Sequence, residues 1–243
     1  NIADVTFTGT TLTNFGNSVS NAGDVNGDGY SDIIAGEKNA YNSATGRAYI
    51  YFGGTAMNNS ADHILTGEAS SNYFGASVSD AGDMNGDGYS DVITGAYGFN
   101  SNTGKSYLYM YGMNGTFISD LSMTGAATLR ELGASVSSAG DVNGDGFDDL
   151  IIGAPFSGGG AVAGDAYIFF GGAIMDNIAD VSLAGEASGN RFGNSVSKAG
   201  DVNGDGYSDV IIGAWGYSSA KGRAYLFYGG TSMNNTADII LTG

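Results

Sequence analysis

The chain is poor in several residue types that most functional sites need. Among its 243 residues there is no cysteine, one proline and one histidine, so neither a disulfide framework nor thiol chemistry is available. Lys and Arg number 8 against 25 Asp and Glu, a formal net charge of −17. A chain this acidic is repelled by nucleic acid and anionic membranes, and we predict neither as a partner. No apolar run approaches the roughly 20 residues that span a bilayer, which predicts no membrane insertion.

Signs of catalysis are also scarce, and we predict that the chain is not an enzyme and has no catalytic residues. His63 falls in a strand-like segment, where a single imidazole is more often a packing or surface residue than a base. The glycine run at residues 158–160 is followed by no lysine, so it is not a phosphate-binding loop.

Glycine and aspartate, in contrast, are abundant and ordered. The string Gly-Asp-x-Asn-Gly-Asp-Gly-(Tyr/Phe)-x-Asp occurs four times, with its first aspartate at Asp24, Asp83, Asp141 and Asp201. Ca²⁺ takes about six to eight oxygen ligands, and alternate Asp, Asn and Asp side chains, a backbone carbonyl and a closing Asp supply such a shell. An Asn-Gly-Asp-Gly stretch is also good turn chemistry, but a plain turn does not need the same three aspartates in four copies.

We therefore predict Ca²⁺ as the cofactor, at four sites. The predicted metal ligands, with Tyr or Phe acting through its backbone carbonyl, are Asp24, Asn26, Asp28, Tyr30 and Asp32; Asp83, Asn85, Asp87, Tyr89 and Asp91; Asp141, Asn143, Asp145, Phe147 and Asp149; and Asp201, Asn203, Asp205, Tyr207 and Asp209. An EF-hand is excluded because its twelfth position must be Glu, and here that position holds Ala35, Thr94, Ile152 and Ile212.

The intervals between the four strings are 59, 58 and 60 residues, a period typical of repeat folds. Each unit runs through a small-residue strand, the acidic loop, a β-branched strand, a variable loop, an aromatic alternating strand and a fourth strand. The pattern predicts an all-β protein, a β-propeller of four-stranded antiparallel blades. We predict one propeller domain over residues 1–243, with repeats at 15–73, 74–131, 132–191 and 192–243, and with residues 1–14 as the outer strand of a preceding blade plus a linker.

The fourth-strand segment occurs five times, whereas the other three strands occur four times. Residues 2–9 match residues 178–185, and the chain also ends on a copy of its own at residues 237–243. An unpaired outer strand is a template for another chain, so self-association through this extra strand is one hypothesis.

The unit also resembles a known family. Phe-Gly at residues 15–16, 74–75 and 192–193, the calcium string, and Gly153-Ala154-Pro155 resemble the FG-GAP repeat of the integrin α-subunit β-propeller and its bacterial and fungal relatives. Leu132 replaces the phenylalanine in the third unit. The resemblance implies a calcium-bound propeller used for adhesion or recognition. Together with calcium loops suited to millimolar calcium, it predicts a secreted or cell-surface location.

A ligand surface is expected opposite the calcium loops, where the connections from second to third strand vary most. The candidates are the aromatic residues Tyr97, Phe99, Phe156, Trp215 and Tyr217, with a protein or a carbohydrate as ligand. The alternative for these rings is packing of blade against blade. Glycosylation acceptor patterns begin at Asn58, Asn114 and Asn234.

Two hypotheses about function stay open at this point. In the first, the chain is a calcium-rigidified adhesive or lectin-like recognition module. In the second, it is a self-assembling structural subunit of a surface layer or fibre.

Overall fold

Sixteen strands form four antiparallel sheets in a computed structural model that describes residues 5–112, 115–126, 129–155 and 163–243. Blade 1 contains β1 (Phe15–Gly23), β2 (Asp32–Glu37), β3 (Arg47–Tyr51) and β4 (His63–Thr66); blade 2 contains β5 (Ser77–Gly82), β6 (Asp91–Ala96), β7 (Lys105–Gly112) and β8 (Thr116–Thr124). Blade 3 contains β9 (Ser135–Gly140), β10 (Asp149–Ala154), β11 (Asp165–Phe169) and β12 (Val181–Ala184); blade 4 contains β13 (Ser195–Gly200), β14 (Asp209–Ala214), β15 (Arg223–Phe227) and β16 (Ile239–Thr242). The strand order in each sheet follows the chain, which confirms the predicted propeller of four-stranded blades.

The second strand of each blade is its buried centre. Every residue of β6 and β10 is buried, as expected for β-branched runs covered on both sides. Each pairs with the small-residue first strand on one edge and with the aromatic third strand on the other; Ile152, for example, lies opposite Val136 and Tyr167. Because neighbouring strands are antiparallel, the acidic hairpins lie at one end of every sheet. The connections from second to third strand and from blade to blade lie at the other. We call these the hairpin end and the loop end.

The core lies between blades rather than within them. Three clusters of buried side chains fill the three junctions, and they include Phe74, Leu132 and Phe192, each with at most 2% of its surface exposed. The first strands lie side by side in chain order, with β5 between β1 and β9, and β9 between β5 and β13. The end strands β1 and β13 make no extended contact with each other.

Residues 5–14 lie along the outside of blade 1. The extra outer strand was predicted at residues 2–9, of which 5–9 are described, and these have no ladder pairing, because each third strand already has a fourth strand as its neighbour. The segment still lies where an outer strand would: the Phe7 ring packs on Tyr51, with centroids 4.2 Å apart. The Thr13 and Tyr49 hydroxyls both donate to the buried Glu37 carboxylate.

Within the described residues, the short coiled segments all lie at the loop end. They are Ala40–Thr45, α1 (Phe99–Asn102) and α2 (Tyr217–Ala220), and each contains residues with non-helical φ and ψ. Within the described ranges, no helix has the length and apolar character needed to cross a membrane.

Candidate metal loops and ligand face

The acidic hairpins share one hydrogen-bond frame. In the first hairpin Asp24 Oδ1 accepts the amides of Gly27 at 2.8 Å and Asp28 at 3.1 Å, and Oδ2 accepts that of Gly29 at 2.8 Å. Asp28 Oδ1 accepts the Tyr30 amide at 2.9 Å. The same bonds recur around Asp83, Asp141 and Asp201. The first aspartate therefore folds the loop around its own carboxylate.

The glycines make this tight loop possible. Gly27 and Gly29 have φ of 73° and 89°, in the left-handed region that side chains disfavour, and the other hairpins have the same pair. In blade 3, a Cβ on Gly144 would also overlap the ring of Tyr207 from blade 4. The loop glycines thus serve both the turn and the junction between blades.

The closing aspartate connects the hairpin to the rest of its blade. Asp149 is completely buried; its Oδ2 accepts the amide of Val142 at 2.8 Å, and its Oδ1 accepts that of Gly171, after β11, at 2.9 Å. Asp32 makes the equivalent bonds to Val25 and Gly53. This aspartate, predicted as a metal ligand, also holds the backbone on both sides of the hairpin in place.

Electrostatics within the hairpin favour a counter-ion. Burial raises the pKa of the Asp149 carboxyl to about 7; two backbone hydrogen bonds oppose that rise, and the nearby charges of Asp145 and Asp141 add to it. The pKa of Asp32 is also raised, chiefly by burial. A divalent cation placed among these groups would offset both desolvation and repulsion.

The oxygen atoms of each hairpin are of the kind that Ca²⁺ prefers. Their carboxylates, however, already accept hydrogen bonds from backbone amides. Each hairpin offers carboxylate and carboxamide oxygens, and a carboxylate has about four lone-pair sites, so the bonds of Asp24 and Asp149 leave acceptor capacity for an ion. Within the described ranges, no three acidic or histidine side chains converge into a ready metal cage. The twenty predicted ligands therefore remain a prediction.

The loop end has a different backbone. Consecutive non-glycine residues with positive φ occur in three of its connections, at residues 41–44, 100–102 and 218–220. Such turns point carbonyls towards the next blade: the Tyr73 amide donates to Ala44 O at 3.1 Å, and the Glu131 amide to Asn102 O at 2.8 Å. Left-handed turns of ordinary residues cost energy, and these interblade hydrogen bonds offset part of that cost.

Basic side chains lie against the aromatic candidates on this face. Arg191 lies 5.0 Å from the Trp215 ring centroid and Arg223 lies 3.7 Å from that of Tyr217, both within cation–π range. Trp215 is 50% exposed, which leaves half of its surface for a ligand.

The remaining candidates are less open. Phe99 is half-buried, with Lys105 Nζ 5.0 Å from its centroid. Tyr97 stacks on Tyr73, with centroids 5.1 Å apart. Phe156 lies outside the described residues. Sequence reasoning missed the basic partners, although a basic residue opens the third strand in three of four blades, at Arg47, Lys105 and Arg223.

Four blades of this topology define a β-propeller, and the comparisons identify its type. The FG-GAP repeat model matches residues 15–51, 74–109, 132–169 and 192–227, one match in each blade. The chain belongs to the FG-GAP repeat family.

Among similar proteins, integrin alpha-5 of Xenopus laevis is 37% identical over 166 residues, which are 63% of this chain and 16% of that protein. Integrin alpha-V of Gallus gallus is 32% identical over 210 residues, 82% of this chain and 20% of that protein. Integrin alpha-IIb of Mus musculus is 32% identical over 168 residues. The chain thus spans about a fifth or less of the length of these relatives.

Proposed function

We propose that this chain is a calcium-stabilised, extracellular recognition module that binds a protein or carbohydrate on its loop end. The observation that carries the proposal is the fourfold hairpin with its fixed hydrogen-bond frame, which collects carboxylates where their mutual repulsion needs a cation. Similarity to integrin α subunits supports a role in adhesion and a location outside the cell or on its surface.

When bound, calcium supplies positive charge at each hairpin. Asp141, Asn143, Asp145, the Phe147 carbonyl and Asp149 would hold it in blade 3, with equivalent residues in the others. Asp149 would pass the constraint to β11 through the Gly171 amide. Each ion would thereby tighten a hairpin and its own sheet, leaving the loop end rigid beneath its ligand.

Calcium titration tests the metal half of the proposal. We expect four calcium ions per chain by calorimetry after chelator treatment. Binding to the folded state at calcium 100-fold above Kd adds about 2.7 kcal/mol per site, so Tm should rise by more than ~10 °C. An Asp145→Ala variant should bind three ions, and an Asp176→Ala control, altered at an exposed acid outside the hairpins, should bind four. An unchanged Tm in chelator would contradict the proposal.

The ligand half is tested on the loop end. A glycan array and a panel of extracellular matrix proteins should reveal a ligand that the Trp215→Ala variant no longer binds. Ile174→Ala is the matched control, because Ile174 is 97% exposed but lies outside the loop end. Equal binding by both variants would remove the loop end as the ligand site.

The alternative hypothesis is a structural subunit that assembles into a surface layer or fibre. Size measurement with and without calcium separates the two functions. A discrete particle with a saturable ligand favours recognition, and a calcium-dependent polymer without one favours assembly.

A further inference from the structure

The basic residues of the chain are collected at one end of the sheets. Seven of the eight lie at the loop end, whereas the twelve aspartates predicted as metal ligands all lie at the hairpin end. Among the described residues, five acidic ones share the loop end with the seven basic ones, so this end carries a formal charge of +2 in a chain whose total is −17. The basic residues are Lys38, Arg47, Lys105, Arg130, Arg191, Lys221 and Arg223, and the acidic ones are Glu37, Glu68, Glu131, Asp165 and Glu186.

Most of the acidic groups at the loop end are already engaged within the protein. The Glu37 carboxylate is buried and accepts the hydroxyls of Thr13 and Tyr49. Three others form ion pairs with basic residues at N–O distances of 2.6 to 2.7 Å; the pairs are Glu68 with Lys105, Asp165 with Arg130 and Glu186 with Arg223. The surplus positive charge therefore lies on the basic residues outside these three ion pairs, which are Lys38, Arg47, Arg191 and Lys221.

The acidic hairpins are too distant to cancel this charge. Six-residue strands such as β6 and β10 separate the two ends, a length of about 20 Å at about 3.3 Å per residue. Exposed charges that far apart are largely screened from each other, because the Debye length is about 8 Å at physiological ionic strength. An anion that approaches the loop end therefore meets a positive surface, although the chain as a whole is acidic.

Aromatic rings lie beside the basic groups of this surface. The Arg47 guanidinium lies 4.6 Å from the centroid of the Tyr41 ring, and Tyr41 is 52% exposed. An exposed ring packs on the C–H face of a sugar, and a cation beside the ring pairs with an acidic group on that sugar. An acidic peptide would use the cations and leave the rings uncovered. We call these contacts the ring–cation pairs; the others are Phe99 with Lys105, Trp215 with Arg191 and Tyr217 with Arg223.

A cleft in blade 1 brings these groups together. It has a volume of about 170 Å³, and its lining includes Tyr41, Arg47 and Tyr49 together with the hydroxyl-bearing residues Thr10 and Thr13. Hydroxyl, phenol and guanidinium groups around one recess can donate to the oxygens of a sugar, and the hydroxyls can also accept from it. The cleft therefore offers hydrogen bonds for a sugar ring and a positive charge for an acidic group on it.

We propose that the loop end binds a polysaccharide that contains uronic acid, with one sugar in the cleft of blade 1 and further sugars along the other ring–cation pairs. This inference rests on the proposed function, because it names the ligand class of the same surface. Carboxylates spaced along a polymer match a surface whose basic residues are spread over several blades and whose surplus charge is small. A densely sulfated polymer carries more negative charge than this surface can pair.

Calorimetry in calcium tests the ligand class with four probes. Hyaluronate oligosaccharides carry one carboxylate in each disaccharide, and we expect saturable binding that weakens as the ionic strength rises. Carboxyl-reduced hyaluronate keeps the sugar backbone and should bind about tenfold more weakly or worse, because the charge-assisted hydrogen bonds are lost. Polyglutamate presents carboxylates without sugars, and dextran sulfate presents sulfates at high density. Equal or tighter binding of any of these three probes would overturn the uronic acid assignment.

Matched variants locate the site. Tyr41→Ala removes the exposed ring of the cleft and should weaken hyaluronate binding by about fivefold or more. Tyr30→Ala removes a ring of similar exposure, 46%, at the hairpin end and should leave binding unchanged. Lys38→Gln and Arg191→Gln should each weaken binding by about two- to fivefold, whereas Lys198→Gln, on β13 and outside the loop end, should not. Equal binding by the loop-end variants and their controls would overturn the proposed site.

The outcomes separate this inference from the proposed function. Melting curves and four bound calcium ions in each variant would exclude unfolding as the cause of lost binding. If the glycan array or the matrix-protein panel gives a ligand that depends on Trp215 but contains no uronic acid, the uronic acid assignment is overturned and the recognition function stands. If neither hyaluronate nor any ligand of those panels binds, both are overturned.

Discussion

The hairpin end and the loop end of the four sheets differ in how closely their sequences and backbone conformations repeat. At the hairpin end, four loops share one sequence pattern, one hydrogen-bond frame and one pair of left-handed glycines. At the loop end, the connections differ in sequence, and ordinary residues adopt left-handed backbone at residues 41–44, 100–102 and 218–220. The aspartates and glycines that build the hydrogen-bond frame recur at the same positions in all four hairpins. Where the turn only has to present carbonyls to the next blade, many side chains are accepted, and that freedom suits ligand recognition.

The largest change in Tm is expected at the hairpin end, on replacement of a closing aspartate. Asp149→Ala leaves the buried amides of Val142 and Gly171 without their acceptor, at about 1–3 kcal/mol each. We expect Tm to fall by roughly 5–20 °C even in chelator. Asp145→Ala, at an exposed position of the same loop, should change Tm little in chelator and lose one site in calcium. Equal Tm values for the two variants in chelator would show that the closing aspartate has no role apart from the metal.

A second comparison uses two equivalent hairpin glycines. Gly144 and Gly204 have φ of 78° and 79°, but a Cβ on Gly144 would overlap Tyr207, whereas Gly204 faces open space. Alanine at either position should cost about 1–2 kcal/mol from backbone strain. Gly144→Ala should cost about 1–3 kcal/mol more, because the junction becomes overpacked. Urea unfolding in chelator, at low micromolar protein, measures the difference; matching values would mean that the Tyr207 ring moves aside freely.

The repeat made most of the fold predictable. Four strings at nearly constant intervals fixed the number of blades, and the alternation in segments such as β11 (Asp165–Phe169) and the β-branched run in β10 (Asp149–Ala154) indicated strands that the structure confirms. Each of these signals lies within one repeat, where short-range spacing is sufficient. The predicted metal ligands follow from the same kind of spacing and await the calcium titration.

What the sequence did not show arises between repeats. The contact of Tyr207 with Gly144 joins residues 63 positions apart, and the exposure of Val19, compared with its buried equivalent Val78, depends on whether a neighbouring blade is present. The surroundings of Glu37 also depend on residues distant in the chain. The other blades have alanine at this position, whereas the Glu37 carboxylate is buried against the Thr13 and Tyr49 hydroxyls. Burial and the neighbouring Glu37 raise the pKa of Tyr49 to about 12, so this hydroxyl remains a donor.

The smallest change in the free energy of unfolding is expected at the loop end, where the substitution should stabilise the protein. Ala220 is exposed and has φ of 69°, a conformation that costs an alanine about 1–2 kcal/mol and a glycine almost nothing. Ala220→Gly also raises the conformational entropy of the unfolded chain, which lowers stability by about 0.4–1 kcal/mol. The free energy of unfolding should therefore rise by a net value of about 0.5 kcal/mol. Ala187→Gly is the control, because Ala187 is exposed on the same end without positive φ and should only lose stability. Urea unfolding compares the two, and a loss in both would show that the left-handed turn stores no strain that glycine can relieve.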